Sequence, residues 1–268
     1  NESDSQWIVY AVDTFAYLGS HVYNPGGLLT EAPVFDPAGG TYYTSLNVSL
    51  SSATPGAAIR YTTDGSDPTT TTGTLYENAI PISETTTLKA IAYADGMDPS
   101  VVNIATYTII TPTLVSNIAN LRGMPTGSAN IYRLTGEAVL TYQNSNRNVK
   151  YIQDATAAIV IDDYNGIITS TYNLYDGITG ITGTLGVYAG LLQFTPAADP
   201  GAATSTGNVV VPEVRTLVSL TSDDQGKLIK VMNVTISGAT TFLATAQSLT
   251  AEDPTASLTL RTFANTDY

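Results

Sequence analysis

The sequence predicts an all-β protein of about two domains, and three observations carry that prediction. Apolar residues alternate with polar ones along run after run: Val48 and Leu50, Ile59 and Tyr61, and Leu88, Ala90 and Ala92 each share a strand face. Charged residues make up only 12% of the chain, against 43% hydrophobic residues, so there is ample material for cores and little for charged helix surfaces. The chain has 268 residues, and domains average ~100–200 residues, which suggests two of them.

The first domain is read from residues 55–76, PGAAIRYTTDGSDPTTTTGTLY. Ala58-Ile59-Arg60-Tyr61-Thr62 alternates and is rich in strand formers. Thr63-Asp64-Gly65-Ser66-Asp67-Pro68 then turns: Asp64 accepts from the backbone two residues on, Gly65 tolerates positive φ, and Pro68 cannot sit in a central strand. Around this core lie Pro33-Val34-Phe35-Asp36-Pro37, Gly39-Gly40-Thr41-Tyr42, Leu75-Tyr76, Thr87-Leu88-Lys89-Ala90-Ile91-Ala92, Gly96, Ser100 and Tyr107. Together these residues resemble the chitobiase/β-hexosaminidase C-terminal domain over 32–110. The resemblance implies an immunoglobulin-like sandwich with an accessory role and no catalytic residue of its own.

Residues 1–31 are read as an N-terminal strand and linker. Trp7–Leu18, WIVYAVDTFAYL, is β-branched and aromatic without helix caps, so it reads as a buried strand. Asn24-Pro25-Gly26-Gly27 is turn or linker chemistry.

Beyond Tyr107 the pattern changes. Leu114, Ile118 and Leu121 are spaced as one face of a short amphipathic helix ending near Gly123. Residues 129–142 read as an alternating strand, and 148–162 as two strands turning at Asp154-Ala155. Gly180, Gly183, Gly186 and Gly190 suit a strongly coiled strand. The helix, Leu134-Thr135-Gly136-Glu137-Ala138-Val139, Tyr151-Ile152-Gln153-Asp154-Ala155-Thr156 and Gly183-Thr184-Leu185-Gly186 together resemble the oligonucleotide/oligosaccharide-binding (OB) barrels of secreted bacterial multidomain proteins. This places an OB-like domain at 112–225.

An internal repeat follows. Asp154–Ile161 aligns with Asp253–Leu260, and Gly136–Thr141 aligns loosely with Met232–Ser237. Residues 226–268 therefore read as the start of a second OB-like unit, whose last strands are expected from further chain or from elsewhere. The complete fold expectation is an all-β chain: an immunoglobulin-like sandwich, an OB-like barrel and a partial second barrel.

Composition bounds the function. The net charge is −13, which opposes phosphate binding over most of the surface, and Arg133, Arg147 and Lys150 are too few to reverse it. Nucleic acid is therefore not expected as a partner. With no cysteine there is no disulfide frame and no thiolate metal site. No run reaches the ~18 apolar residues of a membrane span. The chain starts at Asn1 and shows no signal peptide, so a processed or excised product is expected.

Candidate chemistry is thin. Asp64/Asp67, Asp162/Asp163 and Asp223/Asp224 are loop carboxylates that fit Ca²⁺ less well than turn bonding, because none follows the alternating Asp loop with a distant Glu. His21, the one histidine, sits in the Gly/Pro-rich linker, and no Gly-x-Ser-x-Gly elbow exists. No catalytic, metal or cofactor site is therefore expected. Among 17 tyrosines, Tyr172, Tyr175 and Tyr188 are the expected exposed set for stacking on a glycan.

The reading is a non-enzymatic bacterial surface or extracellular protein that self-associates or meets other surface proteins. Strand addition by Trp7, Ile8, Val9, Tyr10, Ala11, Val12 and Phe15 is the expected route to assembly. The alternatives are the accessory region of a larger secreted nuclease or glycosidase, or a carbohydrate-binding module.

Overall fold

The computed structural model describes residues 28–238 and 247–262. The strand expected at Trp7–Leu18 and the linker histidine His21 lie outside the described residues. The chain forms two compact units divided between Ile109 and Ile110.

Among the described residues the first unit is a sandwich of eight strands. They are β1 (Val34–Asp36), β2 (Gly40–Tyr42), β3 (Leu46–Ser51), β4 (Ala58–Thr62), β5 (Thr74–Leu75), β6 (Ile80–Ile82), β7 (Thr86–Tyr93) and β8 (Asn103–Ile109). One sheet has the order β1-β3-β6 and the other β2-β8-β7-β4-β5. The alternation seen in the sequence faces one core, where Phe35, Val48, Leu50, Ile59, Ile82, Leu88 and Ala90 meet. The chain changes sheets between β1 and β2, and the fully buried Tyr107 anchors that crossing by donating its hydroxyl to the Pro37 carbonyl at 2.8 Å. Burial pushes the Tyr107 phenol up to about 12.

The turn after β4 forms as its residues dictate. Asp64 Oδ1 accepts the Ser66 N–H at 3.0 Å, and Gly65 has φ +84°. Asp67 pairs with Lys89 at 2.7 Å, and Arg60 donates to the carbonyls of Thr70 and Gly73, which holds the following loop against β4.

The second unit begins with β9 (Thr113–Val115), α1 (Ile118–Arg122), β10 (Tyr132–Leu134), β11 (Ala138–Asn144), β12 (Val149–Gln153), β13 (Ala158–Ile161), β14 (Gly177–Ile178), β15 (Thr182–Tyr188) and β16 (Leu191–Pro196). Their order is β14-β11-β12-β13-β16-β15-β10-β9. β10 and β11 are two arms of one bent stretch, so the sheet curls into an OB-like barrel, with β13 and β16 parallel. At the bend, a Cβ on Gly136 would lie 2.2 Å from the Ser116 carbonyl oxygen, and at the β15–β16 crossing one on Gly183 would lie 2.2 Å from the Thr195 carbonyl oxygen. The core holds Ile118, Leu121, Leu134, Leu140, Ile152, Ile159, Ile161, Leu185 and Phe194.

Two sequence expectations are corrected here. Leu114 is not on the helix: it lies in β9, 67% exposed, because Asn117 caps the helix by accepting the Asn120 N–H and so starts it at Ile118. The strand expected over 129–142 is split at Thr135–Glu137, since its halves pair with different neighbours, β15 and β12.

A second copy of the pattern follows: β17 (Glu213–Arg215), β18 (Ile229–Val231), β19 (Thr235–Ser237), β20 (Gln247–Glu252) and β21 (Ser257–Thr262). β17 pairs parallel with β18 as β9 does with β10, and β19, β20 and β21 repeat the antiparallel order of β11, β12 and β13. Among the described residues, nothing pairs with the outer edges of β18 and β21. Leu258 and Leu260, the counterparts of the buried Ile159 and Ile161, are 41% and 40% exposed.

Glycine substitutions separate two costs. Gly65→Val meets no neighbour within 4 Å, so only backbone strain acts, and thermal unfolding should report a loss of about 1–3 kcal/mol. Gly183→Val adds a backbone collision and should cost more. Equal melting temperatures for both variants and the parent would contradict the turn and crossing assignments.

Candidate functional site

Asp154 and Asp253, at corresponding places in the two repeats, are acceptors for backbone N–H groups. Asp154 sits in the β12–β13 turn. Its Oδ1 accepts from Thr156 N–H, Thr156 Oγ1 and Ala157 N–H at 2.7, 2.6 and 3.0 Å. Its Oδ2 reaches across the barrel to the Ile118 N–H at 2.7 Å, at the first turn of α1. Asp253 does the same in the second copy, accepting from Thr255, Ala256 and, at 2.7 Å, the Leu217 N–H. The long-range bond spans 36 residues in both copies, and a second bond spanning 37 residues accompanies each, the Ala119 N–H donating to Thr156 Oγ1 and the Val218 N–H to Thr255 Oγ1. Burial opposes ionisation of Asp253, but the bonds from Thr255, Leu217 and Ala256 outweigh it and bring its carboxyl down to about 2.

Four further carboxylates, of Asp162, Asp163, Asp199 and Asp224, are also engaged. Asp163 is fully desolvated, accepts from the N–H groups of Ile167 and Ile168, and lies 3.8 Å from Lys150. Asp199 accepts from both N–H and hydroxyl of Thr169 and Ser170 and from the Gly201 N–H. Burial raises the Asp199 carboxyl, yet these bonds win and hold it well below the ordinary carboxylate range. Asp162 pairs with Arg147 at 2.7 Å, and Asp224 pairs with Arg215 at 3.2 Å and caps its own turn. Among the described residues no group of three His, Cys, Asp or Glu side chains converges as a metal site.

The expected tyrosine set does not hold together. Tyr172 is buried, 6% exposed, and its hydroxyl donates to the Gly201 carbonyl, so it is a packing residue. Burial pushes its phenol up. Tyr175 is 38% exposed with φ +71°, and its carbonyl accepts from Asn208. Tyr188 is 73% exposed at the β15–β16 turn.

The structure assembles a different polar–aromatic patch. The Tyr164 ring, 68% exposed, lies 4.8 Å from the Arg147 guanidinium. The hydrogen-bonded Asp162 carboxylate, with the Tyr164 and Tyr188 hydroxyls beyond it, holds Arg147 above its ordinary value. Beside it, the β11–β12 loop bounds a cavity of about 480 Å³ lined by Tyr142, Gln143, Asn148 and Leu174 among others. Arg147 and Asn148 both take left-handed backbone, at φ +62° and +51°, a strain that loops tolerate where geometry is fixed by surroundings. Sequence reasoning missed Tyr164 and Tyr142. The available signal was the aromatic immediately after the Asp162-Asp163 pair at a strand end.

Comparison with known families bears on the first unit. Residues 37–104 match the Chitobiase/beta-hexosaminidase C-terminal domain. This domain is an accessory, non-catalytic one, and the match lies within the sandwich described above. No curated protein matches the chain.

The depressed carboxylates set a pH dependence. Their folded-state values lie below the unfolded value of about 3.9, so the stabilisation is complete above that pH and is lost as pH falls toward the folded values. The melting temperature of the second unit should fall between about pH 4 and pH 2, and Asp253→Asn should flatten part of that fall. A melting temperature that does not change over this range contradicts the assignment.

Proposed function

We propose that this chain is a non-catalytic, extracellular bacterial accessory or surface protein that spaces and joins larger parts. One observation carries the reading: the carboxylates of Asp154, Asp162, Asp163 and Asp224 are engaged by backbone N–H groups and ion pairs rather than facing an open cleft. The accessory character of the sandwich supports it. Purified protein should show no turnover of chitin oligosaccharides or DNA. Turnover that survives stringent purification and is lost on one acidic substitution would sink the reading.

Assembly by strand addition is the finer part of the proposal. The outer edges of β18 and β21, with Leu258 and Leu260 exposed beside them, offer main-chain groups and apolar positions to an added strand. Residues 7–12 are a continuous apolar run, so as a strand they would offer Trp7, Val9 and Ala11 on one face and Ile8, Tyr10 and Val12 on the other. Deleting residues 1–18 should leave a folded monomer that no longer assembles, and a peptide of residues 6–18 should stabilise it. A full-length chain that is strictly monomeric, or a truncated one that assembles unchanged, defeats the idea.

A second reading, glycan binding, is favoured by the cavity at the β11–β12 loop, where tyrosine and amide side chains supply stacking and neutral hydrogen bonds. Binding on a glycan array that Tyr142→Ala and Tyr188→Ala abolish would support it, and binding indifferent to both would refute it.

A further inference from the structure

The outer face of β13 carries small apolar residues that the barrel core does not use. Ala158 and Val160 alternate with the core residues Ile159 and Ile161, so they point away from the barrel interior. Yet they are 0% and 2% exposed. Their cover includes the start of the second repeat. Gly226, at φ +81°, passes so close to β13 that an added Cβ would stand 3.3 Å from the Ile159 nitrogen and 3.5 Å from the Ala158 Cβ. Flanking bonds fix the segment. The Leu228 N–H donates to Gln153 Oε1 at 2.9 Å, Gln225 Nε2 to the Gly190 carbonyl at 3.0 Å, and Arg122 Nη2 to the Ser222 carbonyl at 3.0 Å.

We infer that this face is a socket that locks the first barrel to its own second repeat. In OB folds the corresponding face, on the second and third barrel strands, is where oligonucleotides and oligosaccharides bind. Here the chain itself occupies it, so a strand-like ligand enters only if residues 222–228 leave. The plug is pre-shaped by its own repeat. Asp224 pairs with Arg215 at 3.2 Å and Lys227 with Glu213 at 3.8 Å, both partners on β17, which fixes the turn before it meets the barrel. The counterpart positions in the second repeat argue that the socket is a specialised feature of the first. Where β13 has Ala158 and Val160, β21 has Ser257 and Thr259, both exposed.

The inference is independent of whether the chain assembles or binds glycan, and the absence of cysteine permits a clean test in the full chain. Ala158→Cys places one thiol under the plug, and Ser257→Cys places one at the open counterpart. The covered thiol should react with a maleimide at least ~10-fold more slowly than the open one, because covered sites react through opening of the cover. Adding Gly226→Val should abolish most of that protection. Equal labelling of the two sites in the parent background overturns the socket. A second measurement covers the case in which Gly226→Val disturbs folding. Gln153→Ala should speed hydrogen exchange at the Leu228 amide at least ~10-fold while leaving the Thr255 amide, bonded within its own repeat, unchanged. An unaffected Leu228 amide overturns the joint.

Discussion

The second unit depends on one carboxylate per repeat. A barrel of this kind has a problem at its base: a short helical turn must be tied to a distant β-turn, with no disulfide and little helix to bury. Asp154 solves it by accepting three bonds inside its own turn and a fourth from the Ile118 N–H, and Asp253 repeats the arrangement with Leu217. The helical turn otherwise leaves its first N–H groups unpaired, and a carboxylate is the strongest neutral-pH acceptor for them. Once that tie is made, α1 can place Ile118 and Leu121 in the core, and β9 can lie parallel to β10. The loops at the barrel rim use the same device through Asp163, Asp199 and Asp176.

This economy explains why an acidic chain need not be a catalytic one. Carboxylates that fold loops are buried and hydrogen-bonded, features they share with carboxylates in active sites. What separates them is direction: here the oxygens face N–H groups of the chain rather than an open cleft. Tyr142, Gln143 and Asn148 line the cavity at the β11–β12 loop, and Tyr164 and Tyr188 are exposed.

Much of the fold was legible because its signals are local. The Asp64-Gly65 turn, the β12–β13 pair and the alternation of the sandwich strands each follow from a few adjacent residues. The repeat was legible because Asp-x-Thr places its acceptor and hydroxyl two residues apart in both copies. What escaped is non-local. Leu114 fits a helical period, but pairing of β9 with β10 claims it for a strand. Tyr172 reads as exposed until a loop 29 residues away supplies the carbonyl that covers its hydroxyl. The Arg147–Tyr164 contact joins two loops, and Ala158 is indistinguishable from core in the sequence although it faces outward against Gly226 of the second repeat.

The claim that these carboxylates hold the fold is tested most directly by unfolding Asp154→Ala in the full chain and following the second unit by thermal denaturation. Loss of four acceptor contacts, one of them long-range, should destabilise that unit by about 2–4 kcal/mol and leave the sandwich transition where it is. Asp253→Ala should lower the same unit's transition in the same direction. A second unit that melts unchanged in both variants would contradict the account.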